Sequence, residues 1–184
     1  SYRMALLKEL LEYGVDGLFL DFCRWPINKD CQTIDEGGVC LFGYESPLVE
    51  AYKRERGIDS QKIPNGDPDW ISFRANYTNT LFLRELREAL SKMKSEIELT
   101  AMVYYDPIYS LRAALQDWQT WVNEGLIDVI SPMLYPLSPQ SFDSEPPYTQ
   151  VYTWTQNTRN TVSDRAKVFA GLGCYYSSPG WYAY

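Results

Sequence analysis

Residues 14–26, GVDGLFLDFCRWP, decide the fold of this chain. Gly14 is placed to end a helix predicted over residues 3–13, in which Met4 and three leucines share one face. The run 17–22 that follows is short and almost wholly apolar, which is typical of a β-strand buried on both faces. An amphipathic helix followed at once by such a strand indicates an α/β protein with a parallel sheet.

The alternation of helix and strand continues along the rest of the chain. Sequence patterns predict a short helix near 47–56, further helices at 67–93, 110–124 and 148–163, and further strands at 97–105, 127–135 and 168–176. This order indicates parallel βαβ units, arranged as an open doubly wound sheet or as a (β/α)₈ barrel. Because no glycine-rich phosphate loop follows any strand, the nucleotide-binding form of the open sheet loses its main support.

Composition excludes several classes of function. The 184 residues contain 17 Lys and Arg against 24 Asp and Glu, a net charge of −7, which argues against a nucleic-acid partner. No apolar run reaches the roughly 18 residues of a membrane-spanning helix. The chain has no histidine, so Ser-His-Asp catalysis and His-ligated zinc are excluded. Acid–base chemistry must therefore come from Asp, Glu, Tyr, Lys or Cys.

The four cysteines fall into two pairs by their surroundings. Cys31 and Cys40 lie in a polar, glycine-containing stretch, where a disulfide could close a short loop in an oxidising compartment. Cys23 and Cys174 lie in apolar runs and are interpreted as small buried hydrophobic residues, which disfavours a redox function. Without histidine or a Cys-x-x-Cys pair, we expect no metal and no other cofactor.

Polar side chains at the ends of the predicted strands are the candidate site, because parallel barrels hold their chemistry there. A carboxylate inside an apolar strand is costly unless it is paired or used, so we predict Asp21 as an acid–base group; a buried pair with Arg24 is the alternative. Asp106 is the predicted catalytic partner, although Asp-Pro also begins helices. We expect Arg24 to bind the substrate together with a platform of rings: Trp25, Tyr104, Tyr105, Tyr135, Tyr175 and Tyr176.

Residues 14–26 also resemble the motif Y-x-V-D-G-I-x-L-D-Y-x-R-Y-P of the bacterial glycosyl-hydrolase-like family 10 proteins, which are similar to glycoside hydrolases on (β/α)₈ barrels. Further matches follow in the expected order at 51–59, 67–76, 125–135 and 169–173. The resemblance thus covers nearly the whole chain. It implies hydrolysis of a glycosidic bond, with a bacterial cell-envelope or extracellular polysaccharide as substrate and a secreted, periplasmic or cell-surface location.

The resemblance also implies the extent of the fold. The four predicted strands match strands four to seven of a (β/α)₈ barrel, so residues 1–184 form a partial barrel with a long loop insertion at about 26–66. Half a barrel leaves two open parallel edges, and we therefore expect the chain to be part of a longer protein.

Carried over by residue, Asp21 matches the family's acidic residue at the end of strand four, Arg24 its arginine, and Tyr135 the tyrosine that closes strand six. Some relatives have two consecutive acids where this chain has Asp21 and Phe22. Hydrolysis usually needs a second carboxylate, about 5 Å away for retention or about 6.5–9.5 Å for inversion. If Asp106 or a loop carboxylate does not supply it, a missing strand or a substrate acetamido group must. A non-catalytic glycan-binding barrel is the alternative function.

Overall fold

The structure is a computed structural model that describes residues 2–27, 32–92, 96–135 and 147–172. Seven helices are present in these ranges: α1 Tyr2–Glu12, α2 Ser46–Arg56, α3 Pro68–Ala75, α4 Leu81–Ser91, α5 Pro107–Ala114, α6 Trp118–Asn123 and α7 Pro147–Val162. The strands there are β1 Gly17–Leu20, β2 Glu98–Tyr104, β3 Val129–Leu134, β4 Lys167–Val168 and β5 Gly171–Leu172. None of the helices in these ranges is both long enough and apolar enough to cross a membrane.

The strands form one parallel sheet in the order β1-β2-β3-β4, with β5 also paired to β3. Val129 pairs with Lys167 and Met133 with Gly171, a constant offset of 38 residues. Strands β4 and β5 are therefore two paired parts of one strand. They confirm the start of the strand predicted at 168–176, whose end lies outside the described residues. The predicted α/β fold with a parallel sheet is confirmed, and its strand order is compatible with a partial barrel.

Helices α1, α4 and α6 cover one face of this sheet. Along β2, every second residue belongs to the core on this face, namely Leu99, Ala101 and Val103, because successive side chains of a strand point to opposite faces. This core contains Leu18, Leu99, Ala101, Val103 and Ile130 from the strands, with Met4, Leu11, Leu83, Leu86, Trp118 and Trp121 from the helices. The opposite face is open near β1, where Phe19 is 57% exposed. The helix-covered face therefore contains the largest cluster of buried hydrophobic residues in the described part of the chain.

The helix predicted at 67–93 begins where its capping residue places it. Asp67 accepts hydrogen bonds from the backbone N–H groups of Asp69 and Trp70, both at 3.0 Å. A π turn at Asn76–Thr80 then separates α3 from α4. Such a turn inserts an extra residue into the helix and changes which side chains face inward.

The helix predicted at 110–124 is two helices, which corrects that prediction. Asp106 caps α5 several residues before the predicted start, and Asp117 caps α6 by accepting from Thr120. Between the two helices Leu115 is fully buried with a φ of 49°, a left-handed backbone conformation that ends α5 without a glycine.

The long connection predicted at 26–66 contains structure of its own. The short helix predicted near 47–56 is confirmed as α2, and a 3₁₀ turn follows at Ser60–Lys62. An antiparallel bridge joins Ile34 to Cys40. The described part of this connection is therefore ordered by local elements rather than extended across the surface.

Arg74 holds part of this connection against α3. Its buried guanidinium donates to the carbonyl oxygens of Cys40 and Phe42, both at 2.8 Å, and of Asn65 at 3.1 Å. Burial lowers the pKa of Arg74. Gly43 lies against this side chain with a φ of 92°, and a Cβ there would come within 2.8 Å of Arg74 Cδ. Only glycine fits that approach without rearrangement.

Two cysteines are described, and both are free thiols. Cys23 is partly buried, and burial raises its pKa to about 12, whereas Cys40 lies fully inside the connection, where burial raises its pKa as well. Cys31 and Cys174 lie outside the described residues, and because Cys40 is a free thiol, the Cys31–Cys40 disulfide that the sequence allowed is not formed in this structure. The interpretation of Cys23 as an unreactive, largely buried thiol agrees with its raised pKa.

Candidate functional site

Asp21 is the first residue beyond β1 at the carboxyl end of the sheet. The register pairs Leu20 with Ala101, which brings Asp21 level with Met102. Asp21 is exposed, and its carboxylate accepts the N–H of Phe22 at 2.8 Å. The prediction that Asp21 lies desolvated inside the strand is therefore wrong. The apolar run overstates the strand because Phe22 is itself 68% exposed, with a left-handed φ of 56° that turns the chain away.

Arg24 lies beside Asp21 but is not paired with it. Its guanidinium carbon lies 4.7 Å from the ring centroid of Phe22 and 5.0 Å from that of Tyr104. No carboxylate in the described ranges is within ion-pair distance of Arg24. The alternative of a buried Asp21–Arg24 pair is therefore wrong. Aromatic faces attract the cation while leaving its in-plane N–H groups available for a ligand.

Tyr135 follows β3 and is electrostatically coupled to Asp21. Burial raises the pKa of the Tyr135 phenol, and the negative charge of Asp21 raises it further. The hydroxyl also points its proton at the sulfur of Met102, at 3.6 Å. The charge of Asp21 thus acts on Tyr135, whose raised pKa keeps the hydroxyl protonated with its one proton directed to Met102.

Tyr104 and Tyr105 are consecutive residues at the carboxyl end of β2. The half-buried ring of Tyr104 meets Tyr109 edge to face at 5.3 Å, and burial raises its pKa while the charge of Arg24 opposes that shift. Tyr105 stacks on Trp154 of α7 at 4.2 Å and 13°. One face of Tyr105 is therefore already covered. The sequence did not single out Trp154, because its helix shows only a weak pattern.

Asp106 lies at the same end of the sheet and caps α5. One of its carboxylate oxygens accepts from the N–H groups of Ile108 at 2.8 Å and Tyr109 at 2.9 Å. Its charge contributes to the raised pKa of Tyr105. The helix-starting role that Asp-Pro allows is therefore realised, and the catalytic role stays a prediction. Across the described ranges, no three acidic or cysteine side chains meet in a group that could hold a metal ion.

Trp25 packs into the long connection. Its ring stacks on Phe42 at 5.2 Å and 16°, and its indole N–H donates to the hydroxyl of Thr78 at 3.4 Å. The ring therefore closes a small apolar cluster on one side, and its predicted contact with substrate stays a prediction. Tyr175 and Tyr176 lie outside the described residues.

A groove of about 800 Å³ runs beside Asp21, between α1 and the π turn. Its apolar wall comes from leucines of α1 and from Phe82, and its polar end comes from Asp21 and Arg24. The π turn adds Thr78 and Asn79, two lining residues that the sequence patterns did not identify. A helical pattern gives no sign of an inserted residue, so these two positions became visible only in the structure.

These strand-end groups lie within the part of the chain that matches a known protein family. A family model described as glycosyl hydrolase-like 10 matches residues 12–178. The chain belongs to the glycosyl hydrolase-like 10 family. The resemblance drawn from residues 14–26 is thereby confirmed, and the match covers every residue of the candidate site. Searches of curated proteins and of solved structures return no match.

Within this glycosyl hydrolase-like 10 domain, Gln116 joins the ends of β1 and β2. It is fully buried, and its amide nitrogen donates to the carbonyl oxygens of Cys23 at 3.2 Å and Met102 at 3.0 Å. A lone glutamine carries no sequence signature, so sequence patterns did not identify it. The one hint in the sequence was its position inside the predicted helix 110–124, because a glutamine that is buried there needs hydrogen-bond partners.

Proposed function

We propose that this domain hydrolyses glycosidic bonds in a bacterial cell-envelope or extracellular polysaccharide, with Asp21 as acid–base. The observation that carries the proposal is the grouping of exposed Asp21, the Tyr135 phenol and the ring-bound Arg24 at the carboxyl end of a parallel sheet. Barrel enzymes hold their catalytic groups at that end. Membership of the glycosyl hydrolase-like 10 family supports the same chemistry.

Each group has a role that its surroundings support. Protonated Asp21 gives its proton to the glycosidic oxygen as the bond to the sugar breaks, and a second carboxylate takes a proton from water or attacks the sugar. Asp106 is the candidate for that second group. Arg24 donates to a hydroxyl or a carboxylate of the substrate while the rings of Phe22 and Tyr104 hold its plane.

The proposed domain is a partial (β/α)₈ barrel that comprises strands four to seven. Strand order that follows chain order and a face left open near β1 support this assignment. In that arrangement the long connection between β1 and β2 forms one side of the cleft. A substrate in the envelope or outside the cell requires a secreted, periplasmic or cell-surface location.

One observation favours a second candidate, a non-catalytic glycan-binding barrel. Asp106 is engaged as a helix cap, and none of the carboxylates described contacts Asp21. An arginine on aromatic rings and a tyrosine-lined rim can bind sugars without a second acid. The two candidates differ in whether a bound glycan is cut.

The test compares Asp21→Asn with wild type in the full-length protein, on a panel of envelope and extracellular polysaccharides. Released reducing ends report cleavage, and calorimetry reports binding. Asp164→Asn, an exposed carboxylate at the amino end of the sheet, is the matched control. Product that depends on Asp21 but not on Asp164 supports hydrolysis. Binding that survives in both variants without product from any glycan overturns hydrolysis in favour of the binding barrel.

A further inference from the structure

Both protons and the oxygen of the Gln116 side-chain amide are hydrogen-bonded. Besides donating to Cys23 and Met102, its amide oxygen accepts the N–H of Tyr104 at 3.0 Å and the hydroxyl of Ser110 at 2.9 Å. Both amide protons are therefore used, and the single Ser110 hydroxyl proton is shared between the amide oxygen and the backbone oxygen of Gln116, which lies 3.0 Å away. The side chain is therefore fixed by the end of β1, the end of β2 and α5 together.

The backbone next to Gln116 is bonded to the same parts of the site. Ala114 O accepts the N–H of Trp25 at 2.9 Å, and Leu115 O accepts from the side chain of Asn79 at 2.8 Å. Leu115 lies in the left-handed region, which a non-glycine residue adopts only when its surroundings enforce it. We name residues 114–116 the α5–α6 joint. It connects the loop after β1, the end of β2 and the π turn.

We propose that Gln116 is a positioning residue of the glycan site, one that sets the loop carrying Asp21 and Arg24 relative to Tyr104. This inference rests on the proposed function. Gln116 touches no substrate, because it is buried, and it acts through the carbonyl of Cys23 on one side and the N–H of Tyr104 on the other.

The geometry explains why loss of this side chain reaches the site. Without the amide, the carbonyls of Cys23 and Met102 and the N–H of Tyr104 each lose a hydrogen bond to a side chain that is itself fully buried. The loop then settles wherever those groups find new partners, which changes the 5.0 Å approach of Arg24 to Tyr104. A shift of 1 Å at a catalytic group lowers turnover about 100-fold.

The experiment uses Gln116→Met in the full-length protein, because methionine matches glutamine in length and has no amide. Tyr52→Phe is the matched control: Tyr52 is buried in the same domain, and its hydroxyl donates to Asp69 at 3.0 Å in the contact between α2 and α3 rather than at the joint. We expect Gln116→Met to lower kcat at least about tenfold with KM changed less than about threefold, since the loop carries the acid–base group. The control should lose stability and keep kcat.

A second readout does not depend on activity. Iodoacetamide labelling of Cys23, followed by peptide mass spectrometry, should become at least about tenfold faster in Gln116→Met and stay unchanged in Tyr52→Phe, because only the first variant frees the loop. If wild type gives no product that depends on Asp21, the proposed function fails and the labelling alone judges Gln116. Equal labelling in the two variants, or equal loss of kcat in both, overturns the positioning role.

Discussion

The two ends of the sheet handle charge in opposite ways. At the amino end Arg87 lies 2.8 Å from Asp128, which also accepts the N–H of Leu99, and Lys167 lies 2.5 Å from Glu98. At the carboxyl end Asp21 and the guanidinium of Arg24 have no ion-pair partner among the residues described. The amino end thus contains ion pairs, whereas the carboxyl end contains an unpaired carboxylate and an arginine that lies over aromatic rings.

The difference separates an end that contains ion pairs from the end where we propose that the ligand binds. At the amino end one pair joins α4 to the residue before β3, and the other joins the starts of β2 and β4 across β3. Charges that the fold leaves unpaired gain most from binding something else. A groove of about 800 Å³ exists at each end, so size alone does not separate the two. Four charged residues that line the amino-end groove, Arg87, Asp128, Glu98 and Lys167, form two ion pairs, whereas Asp21 and Arg24 form none among the residues described.

The strongest test of this contrast is Asp21→Asn. We expect kcat on a cleaved glycan to fall about 1000-fold, because general acid–base groups contribute roughly 10² to 10⁴. The free energy of unfolding should hardly change, since Asp21 is exposed and has no charged partner. Reducing-end assays and urea unfolding measure both. If Asp21→Asn keeps full turnover, Asp21 at the carboxyl end of the sheet is not part of the catalytic machinery.

Arg24→Met should raise KM or Kd for the glycan about tenfold, because the variant loses a cation that the rings of Phe22 and Tyr104 hold in place. Arg87→Met is the matched control at the amino end and should leave glycan affinity unchanged. Calorimetric titration measures both variants. Equal affinity in Arg24→Met and wild type would mean that the ring-bound arginine does not meet the ligand.

Asp128→Asn should act on stability alone. The variant weakens a charge-assisted pair with Arg87 and a backbone bond to Leu99, at an expected cost of about 1–2 kcal/mol in the free energy of unfolding. Urea unfolding measures the loss, and kcat should stay within about twofold of wild type. Loss of turnover without loss of stability would show that the amino end takes part in function.

The smallest effect is expected from Glu124→Gln. Glu124 accepts two hydrogen bonds from Arg84, which hold the pKa of this carboxyl below its usual range. Because the folded pKa is lowered, the pair stabilises the fold above about pH 4.3, and the benefit is lost as the pH falls through the folded pKa. Both side chains are more than a third exposed, so we expect only about 0.5 kcal/mol at neutral pH.

Urea unfolding at several pH values checks this prediction. The difference between wild type and Glu124→Gln should shrink steadily below about pH 4 as the carboxylate is protonated. A difference that stays constant down to acid pH would assign the effect to packing rather than to charge.

Sequence reasoning predicted the framework of this domain well. The apolar runs of β1, β2 and β3 and the Asp67 cap are local signals, and each marks its element because burial and capping act on neighbouring residues. The grouping of Asp21, Arg24 and Tyr135 followed from one rule, that the carboxyl ends of parallel strands meet at one edge.

What the sequence missed depends on contacts between distant residues. The burial of Asp21 was overestimated because Phe22 looks like a core residue and is exposed. The break at Leu115 has no glycine to announce it, and Gln116 becomes informative only through partners on β1 and β2. Such features are decided by tertiary packing, which no local pattern records.

The carbonyl-bound Arg74 has a consequence for how this domain can diversify. One side chain on α3 holds three backbone carbonyls of the connection, and backbone atoms are the same whatever residue supplies them. The exposed residues of that connection can therefore be substituted, in evolution or by design, while its path along α3 is kept. Gly43 is the exception, because any larger residue there meets Arg74 itself. With Arg74 and Gly43 kept, the other positions of the connection can change in sequence without a change in its backbone path.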